Sequence, residues 1–77
     1  MSDVIVYSTP SCPYCQMAKE YLKSKNIEFE DVDVSANMER AMEMIRKSGQ
    51  QGVPVLDIKG KIIIGFNKPE IDATLGL

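Results

Sequence analysis

Val4-Ile5-Val6-Tyr7 is an unbroken run of β-branched and aromatic residues with no polar residue inside it. A strand with one face in water alternates apolar with polar. A strand without that alternation is covered on both faces, which calls for helices on each side of a sheet. The run breaks at Ser8-Thr9-Pro10-Ser11, and a helical pattern follows at once. Pro13 suits the first turn of a helix, where its missing N–H is no loss. Tyr14, Met17, Ala18, Tyr21 and Leu22 then recur at helical spacing as one apolar face, with Lys19, Glu20 and Lys23 pointing away. That helix is expected to end near Lys25-Asn26. A strand feeding directly into a helix, in a chain of 77 residues, leaves one small α/β domain as the expected organisation, spanning 1–77.

The rest of the chain continues the alternation. Ile27 to Val34 reads as a second strand with a change of parity: Ile27 and Phe29 share one side, Val32 and Val34 the other. Either both faces are partly covered or a bulge lies near Glu30-Asp31. Ser35 is the expected cap of a second helix, with Met38, Ala41, Met42 and Ile45 as its buried stripe and Gly49 as its terminator. Methionine at this spacing is expected to pack in the core, where it fills irregular gaps. Val53 to Ile58 and Lys61 to Ile64 flank the tight Lys59-Gly60 turn and predict an antiparallel hairpin. Pro54 cannot donate to a ladder and so belongs at the start or the edge of its strand. Asn67 and Glu70 form a capping pair for a last helix whose apolar residues are Ile71 and Leu75. The predicted order is β-α-β-α-β-β-α.

Composition excludes several kinds of function. Nine basic and eleven acidic residues give a net charge of −2, which argues against a broad electrostatic grip on nucleic acid or on anionic membrane. Histidine is absent, so Ser-His-Asp and Cys-His catalysis and His-ligated metals are out of reach. No apolar run approaches the roughly 20 residues that span a bilayer. The start of the chain has no basic segment, so a signal peptide is not expected and the expected compartment is the cytoplasm.

Cys12 and Cys15 are the only cysteines. As a structural staple they would close a ring of about four residues, worth roughly 2 kcal/mol by loop entropy, and a cytosolic setting would keep it reduced. A structural zinc needs four ligands, and a cluster bridging two chains must borrow ligands as well; this chain offers one pair. The remaining reading is redox chemistry. Residues i and i+3 of a helical turn lie about 5 Å apart between α-carbons, within the range a disulfide accepts. Cys12 falls at the helix start, where free N–H groups favour a thiolate, and Cys15 lies one turn inside. Cys12 is therefore the expected nucleophile and Cys15 the expected resolving thiol.

Cys12-Pro13-Tyr14-Cys15 after a strand and before a helix, followed by Gly49-Gln50-Gln51-Gly52-Val53-Pro54 and the β-α-β-α-β-β-α order, resembles the glutaredoxins of the thioredoxin superfamily. The resemblance covers nearly the whole chain. It implies a thioredoxin-like fold with a four-stranded mixed sheet flanked by three helices, and thiol–disulfide exchange as the activity. It also implies a cis Val53-Pro54 bond beside the cysteines, whose backbone pairs with a bound thiol compound as a short strand. The implied substrates are protein disulfides and glutathione mixed disulfides. Glutathione would be the co-substrate of a monomer that needs no metal or organic cofactor.

Three positions depart from the family's pattern. Thr9 stands where many glutaredoxins have Lys, and Gln51 where Arg is common. Gly65-Phe66-Asn67-Lys68 replaces the usual Gly-Gly-x-Asp that holds the γ-glutamyl end of glutathione. The Gly-Phe pair is similar to that of redoxins serving ribonucleotide reductase, which take electrons from thioredoxin reductase, so that enzyme is the alternative donor. The expected substrate-binding residues are Tyr14, Gln51, Val53, Pro54, Phe66, Asn67 and Lys68. Of these, Phe66 can equally be packing for the last helix, and Gln51, like Gln50, is a solvated loop residue unless a ligand engages it. Tyr7 is expected in the core.

Overall fold

The computed structural model describes residues 3–77, so Met1 and Ser2 of the expected domain lie outside the described residues. Strand β1 (Val4–Ser8) leads into helix α1 (Pro13–Ser24), then β2 (Glu30–Asp33), α2 (Met38–Ser48), the hairpin β3 (Val55–Ile58) and β4 (Lys61–Ile64), and α3 (Lys68–Leu75). The sheet order is β2-β1-β3-β4. β1 runs parallel to β2 and antiparallel to β3, and β3 pairs antiparallel with β4. This is the thioredoxin-like arrangement of three helices on a four-stranded mixed sheet. Among the described residues no helix is long and apolar enough to cross a membrane.

Alternation along the strands sorts the core into two faces. One face carries Val4, Val6, Leu56, Ile58 and Ile63, covered by Ala18 and Leu22 of α1 and Ile71 of α3. The other carries Tyr7, Val32 and Val55, covered by Met44 of α2. The unbroken apolar run of β1 is thus explained, since the strand is central and has helices on both sides.

The structure corrects the sequence reading at four places. The buried stripe of α1 is Cys15, Ala18 and Leu22, whereas Tyr14 and Met17 are exposed. A cysteine side chain packs as a small hydrophobe, and counting Cys15 only as chemistry turned the expected face by about one residue. Strand β2 is shorter than Ile27 to Val34, and its register against β1 is continuous from Ile5↔Glu30 to Ser8↔Asp33. The parity change therefore reflects two covered faces and no bulge: Ile27 and Phe29 pack toward the α1 side, Val34 toward the α2 side.

The cap of α2 is Asn37, whose side chain accepts the Arg40 N–H at 3.1 Å. Ser35 instead closes a turn on Asp33, its N–H donating to the carboxylate at 2.9 Å. On α2 the fully buried methionine is Met44, while Met38 is 79% and Met42 54% exposed. The helix is anchored beyond Met44 by polar bonds, and that rolls the methionine stripe outward. Finally, β3 begins at Val55, with Pro54 just before it. The Lys59-Gly60 turn is as expected, both residues having positive φ (53° and 93°), the combination that matches the twist of a two-residue hairpin.

Candidate active site

The end of β1 and the start of α1 create the site. Cys12 is the N-cap of α1, with extended backbone angles (φ −95°, ψ 111°), and Pro13 follows in the first turn. The Cys15 N–H points at the Cys12 sulfur, 3.2 Å away. A helix N-terminus has N–H groups without intrahelical partners, and here the sulfur takes the place of a capping oxygen. Cys12 is partly exposed; Cys15, one turn inward, is completely buried.

Burial pushes the Cys15 thiol up to about 11, reinforced by its hydrogen bond with Cys12, while the Thr9 backbone and the Lys19 ammonium act in the opposite direction. Cys15 is therefore protonated at neutral pH.

The loop before β3 approaches the same sulfur. The Val53 carbonyl lies 3.9 Å from Cys12 Sγ, and the Val53-Pro54 bond is cis, as the resemblance implied. Tyr14, at 62% exposure, stands in solvent beside the pair. Gln51 and Gly52 are exposed, and Gln50 folds back so that its side-chain amide donates to the Gly52 carbonyl at 2.9 Å.

The start of α3 forms a neighbouring cluster. Phe66 is half-buried, its ring 5.9 Å from that of Tyr21. Lys68 Nζ lies 5.3 Å above the Tyr21 ring, within cation–π range. The Asn67 side chain caps α3: its carbonyl accepts the Glu70 N–H at 3.4 Å, and its amide donates to the Glu70 carboxylate at 3.0 Å. The structure thus joins Cys12, Cys15 and Val53 through named contacts. Phe66 and Lys68 gather around Tyr21.

One functional candidate escaped the sequence reading. Lys19, expected on the solvent side of α1, has a side chain only 12% exposed. Its Nζ is 3.1 Å from Asp31 and 3.5 Å from the Ser8 hydroxyl, and Ser8 itself donates to Asp31 at 2.9 Å. The available signal was its spacing, four residues after Cys15 on the same helix face. The pairing with Asp31 depends on the Val6↔Asp31 register, which no local pattern reveals. Among the described residues, no group of three or more His, Cys, Asp or Glu side chains is placed to hold a metal ion.

Comparison with known proteins agrees with this geometry. The glutaredoxin family model matches residues 4–63. The chain is 60% identical over 67 residues to an uncharacterized glutaredoxin-like 8.6 kDa protein in the rubredoxin operon of Clostridium pasteurianum, covering 87% of this chain and 89% of that one. It is 37% identical over 65 residues to glutaredoxin 3 of Escherichia coli K12, covering 84% and 78% respectively. The crystal structure of a thioredoxin-like protein mutant superimposes with a TM-score of 0.92 at 28% identity, covering 99% of this chain and 97% of its own.

Proposed function

Because the chain belongs to the glutaredoxin family and is a thiol–disulfide oxidoreductase, we propose that it takes electrons from glutathione and reduces protein disulfides or glutathione mixed disulfides through Cys12 and Cys15. The unequal placement of the two sulfurs carries this reading. Cys12 is reachable, and its sulfur sits at the open N-terminus of α1, accepting the Cys15 N–H. Cys15 is enclosed and protonated until it is needed.

In the forward half-cycle the Cys12 thiolate attacks one substrate sulfur and forms a mixed disulfide, releasing the first thiol. Cys15 gives up its proton and attacks the Cys12 sulfur. The Cys12–Cys15 disulfide forms, and the second substrate sulfur leaves as a thiolate that takes up a proton. Two glutathione molecules reverse the state of the pair. The first opens the disulfide at Cys12, and the second displaces Cys12 from the resulting mixed disulfide, leaving glutathione disulfide and the dithiol. The Val53 backbone beside Cys12 is suited to align an extended thiol compound, and Tyr14 offers it an exposed aromatic face. A cytoplasmic setting fits this cycle, since glutathione keeps thiols reduced there.

Glutathione carries two carboxylates and an ammonium. Gln51 offers the glycine carboxylate a neutral bond in place of a charged one, and charge-assisted bonds are roughly twice as strong. Lys68, resting over the Tyr21 ring, supplies no partner for the ammonium. Glutathione is therefore expected to reduce the protein with weak saturation. Regeneration of the dithiol by glutathione with its reductase, compared with thioredoxin reductase, tests the donor; regeneration by thioredoxin reductase alone would overturn it. Cys12→Ser is expected to abolish all exchange. Cys15→Ser is expected to stop reduction of protein disulfides by the dithiol route and to retain removal of glutathione from a substrate, which needs one thiol. Equal loss of both activities in both variants contradicts the assignment.

A further inference from the structure

The proposed cycle leaves one step without assistance. Cys15 must become a thiolate to attack Cys12, yet it is fully buried and its thiol lies near 11. At pH 7 a thiol of that value is ionised to roughly one part in 10,000. Whatever favours its anion sets the speed of the second half of the exchange.

The covered face of α1 holds such a group. Lys19 follows Cys15 by four residues, a spacing that brings Cβ atoms within about 5–6 Å. Its side chain does not extend into water. It is 12% exposed and lies against the end of β1 and β2, held by Asp31 at 3.1 Å and by the buried Ser8 at 3.5 Å. A lysine this largely covered needs a partner for its charge, and Asp31 provides it. The result is a fixed positive charge one turn from a buried thiol, at a cleft of about 240 Å³ that Ser8, Pro10 and Gln16 also line.

We propose that Lys19 is a positioning residue for the resolving step: its ammonium, anchored by Asp31 and Ser8, favours the thiolate of Cys15 as Cys15 attacks the Cys12 mixed disulfide. The proposal rests on the reading of Cys15 as the resolving thiol. In that step the Cys15 S–H proton passes to solvent, the Cys15–Cys12 bond forms, and the substrate sulfur leaves with the bonding pair. The Cys15 sulfur is oxidised and the substrate sulfur reduced, Cys12 remaining in a disulfide throughout, with no further reactant.

The charged and titratable groups around Cys15 are few. On its own helix they are Cys12 and Lys19. On β2 they are Asp31, bound by Ser8 and Lys19, and Asp33, bound by Ser35. β1 contributes Ser8 and no charge on this face, and on α3 Asp72 is engaged by the Tyr21 hydroxyl farther along α1. Of these, Lys19 acts on the Cys15 thiol in the direction that favours the anion, and Asp31 acts through Lys19, which it holds in place. A pair that only braced α1 against β2 would change stability without moving the pH dependence of the Cys15 thiol.

The test is a stopped-flow reaction of the reduced full chain with a dipyridyl disulfide, which releases one coloured thione when Cys12 attacks and a second when Cys15 resolves. The second phase is followed from about pH 6 to 9, where its logarithm rises with the ionised fraction of the attacking thiol. Lys19→Gln is expected to slow this phase about 3-fold. A tenfold loss of thiolate is offset by a roughly threefold gain in nucleophilicity as the thiol becomes more basic. Asp31→Asn, which frees the anchor, is expected to slow it less than Lys19→Gln does, and Lys19→Arg to keep the wild-type rate and pH profile. An unchanged rate and pH profile in Lys19→Gln, or a Lys19→Arg variant as slow as Lys19→Gln, overturns the proposal. Cys15→Ser is the separate control: an undiminished second phase there would refute Cys15 as the resolving thiol and not merely the role of Lys19.

Discussion

The two faces of the sheet are closed by different chemistry. Under α1 and α3 the contact is aliphatic: Val4, Val6, Leu56, Ile58 and Ile63 meet Ala18, Leu22 and Ile71. Under α2 the apolar part is smaller, and beside it runs a chain of polar bonds. The Tyr7 hydroxyl donates to Glu43, and Lys47 reaches the Tyr7 oxygen at 2.8 Å and Asp57 at 2.7 Å. Arg40 joins Glu43 at 3.3 Å to Glu30 at 3.0 Å. Burial alone would push the Lys47 ammonium down, but its bonds to Asp57 and Tyr7 outweigh that and hold it above the ordinary lysine value.

The redox helix therefore rests mainly on aliphatic contacts, which depend little on pH or salt, with the Lys19–Asp31 pair and the Tyr21–Asp72 bond beside them. The helix on the opposite side is located mainly by directional bonds between charged groups, which respond to both. A helix with one fully buried apolar residue, Met44, has little hydrophobic area to fix its position, and the ion pairs supply what packing does not.

The largest difference is expected from a truncation on the aliphatic face. Leu22→Ala removes a side chain that is entirely buried beneath the redox helix. Such changes cost about 2–5 kcal/mol, a large part of the roughly 4–12 kcal/mol available to a domain of this size. Urea denaturation is expected to show a midpoint far below wild type, or no folded baseline. A cost below about 1 kcal/mol would mean that this face collapses around the gap.

On the other face, Lys47→Met keeps the aliphatic stem but leaves the buried Asp57 carboxylate without its cation. Because Lys47 is partly solvated, the expected cost is about 1–3 kcal/mol, read from the same denaturation curves. An effect as large as that of Leu22→Ala would erase the contrast between the faces.

A smaller effect belongs to pH. The Tyr7 hydroxyl, followed by Arg40 and Lys47, holds the Glu43 carboxyl below its ordinary value against the opposing effect of burial. A carboxyl lower in the folded than in the unfolded state contributes stability that is complete above the unfolded value. That stability is lost as pH falls through the folded one. Thermal midpoints are expected to be level from neutrality to about pH 5 and to decline below it, with a shallower decline in Glu43→Gln. Parallel declines in the two proteins would remove Glu43 from the account. The smallest effect is expected at the outward methionines: Met38→Gln and Met42→Gln should each change stability by less than about 0.5 kcal/mol, where core methionines would cost several times more.

Much of this molecule was decided by short stretches of sequence. Pro13 and the Cys12 N-cap start α1, Gly49 ends α2 in the left-handed region (φ 75°), Asn67 and Glu70 open α3, and Lys59-Gly60 sets the hairpin. Each is a matter of a residue's own backbone preference or of a bond spanning three or four positions, so it is readable without knowing what lies across the fold. The element order and the position of the cysteine pair follow from the same local signals. Which side of each helix turns inward was decided by the tertiary structure. On α1 and α2 several rows of residues are apolar enough to be buried, and periodicity shows that a stripe exists without fixing its phase. The partners of Lys19 and Lys47 were likewise set by packing. Asp31 and Asp57 reach them through strand registers, and a register depends on contacts between segments far apart in the chain.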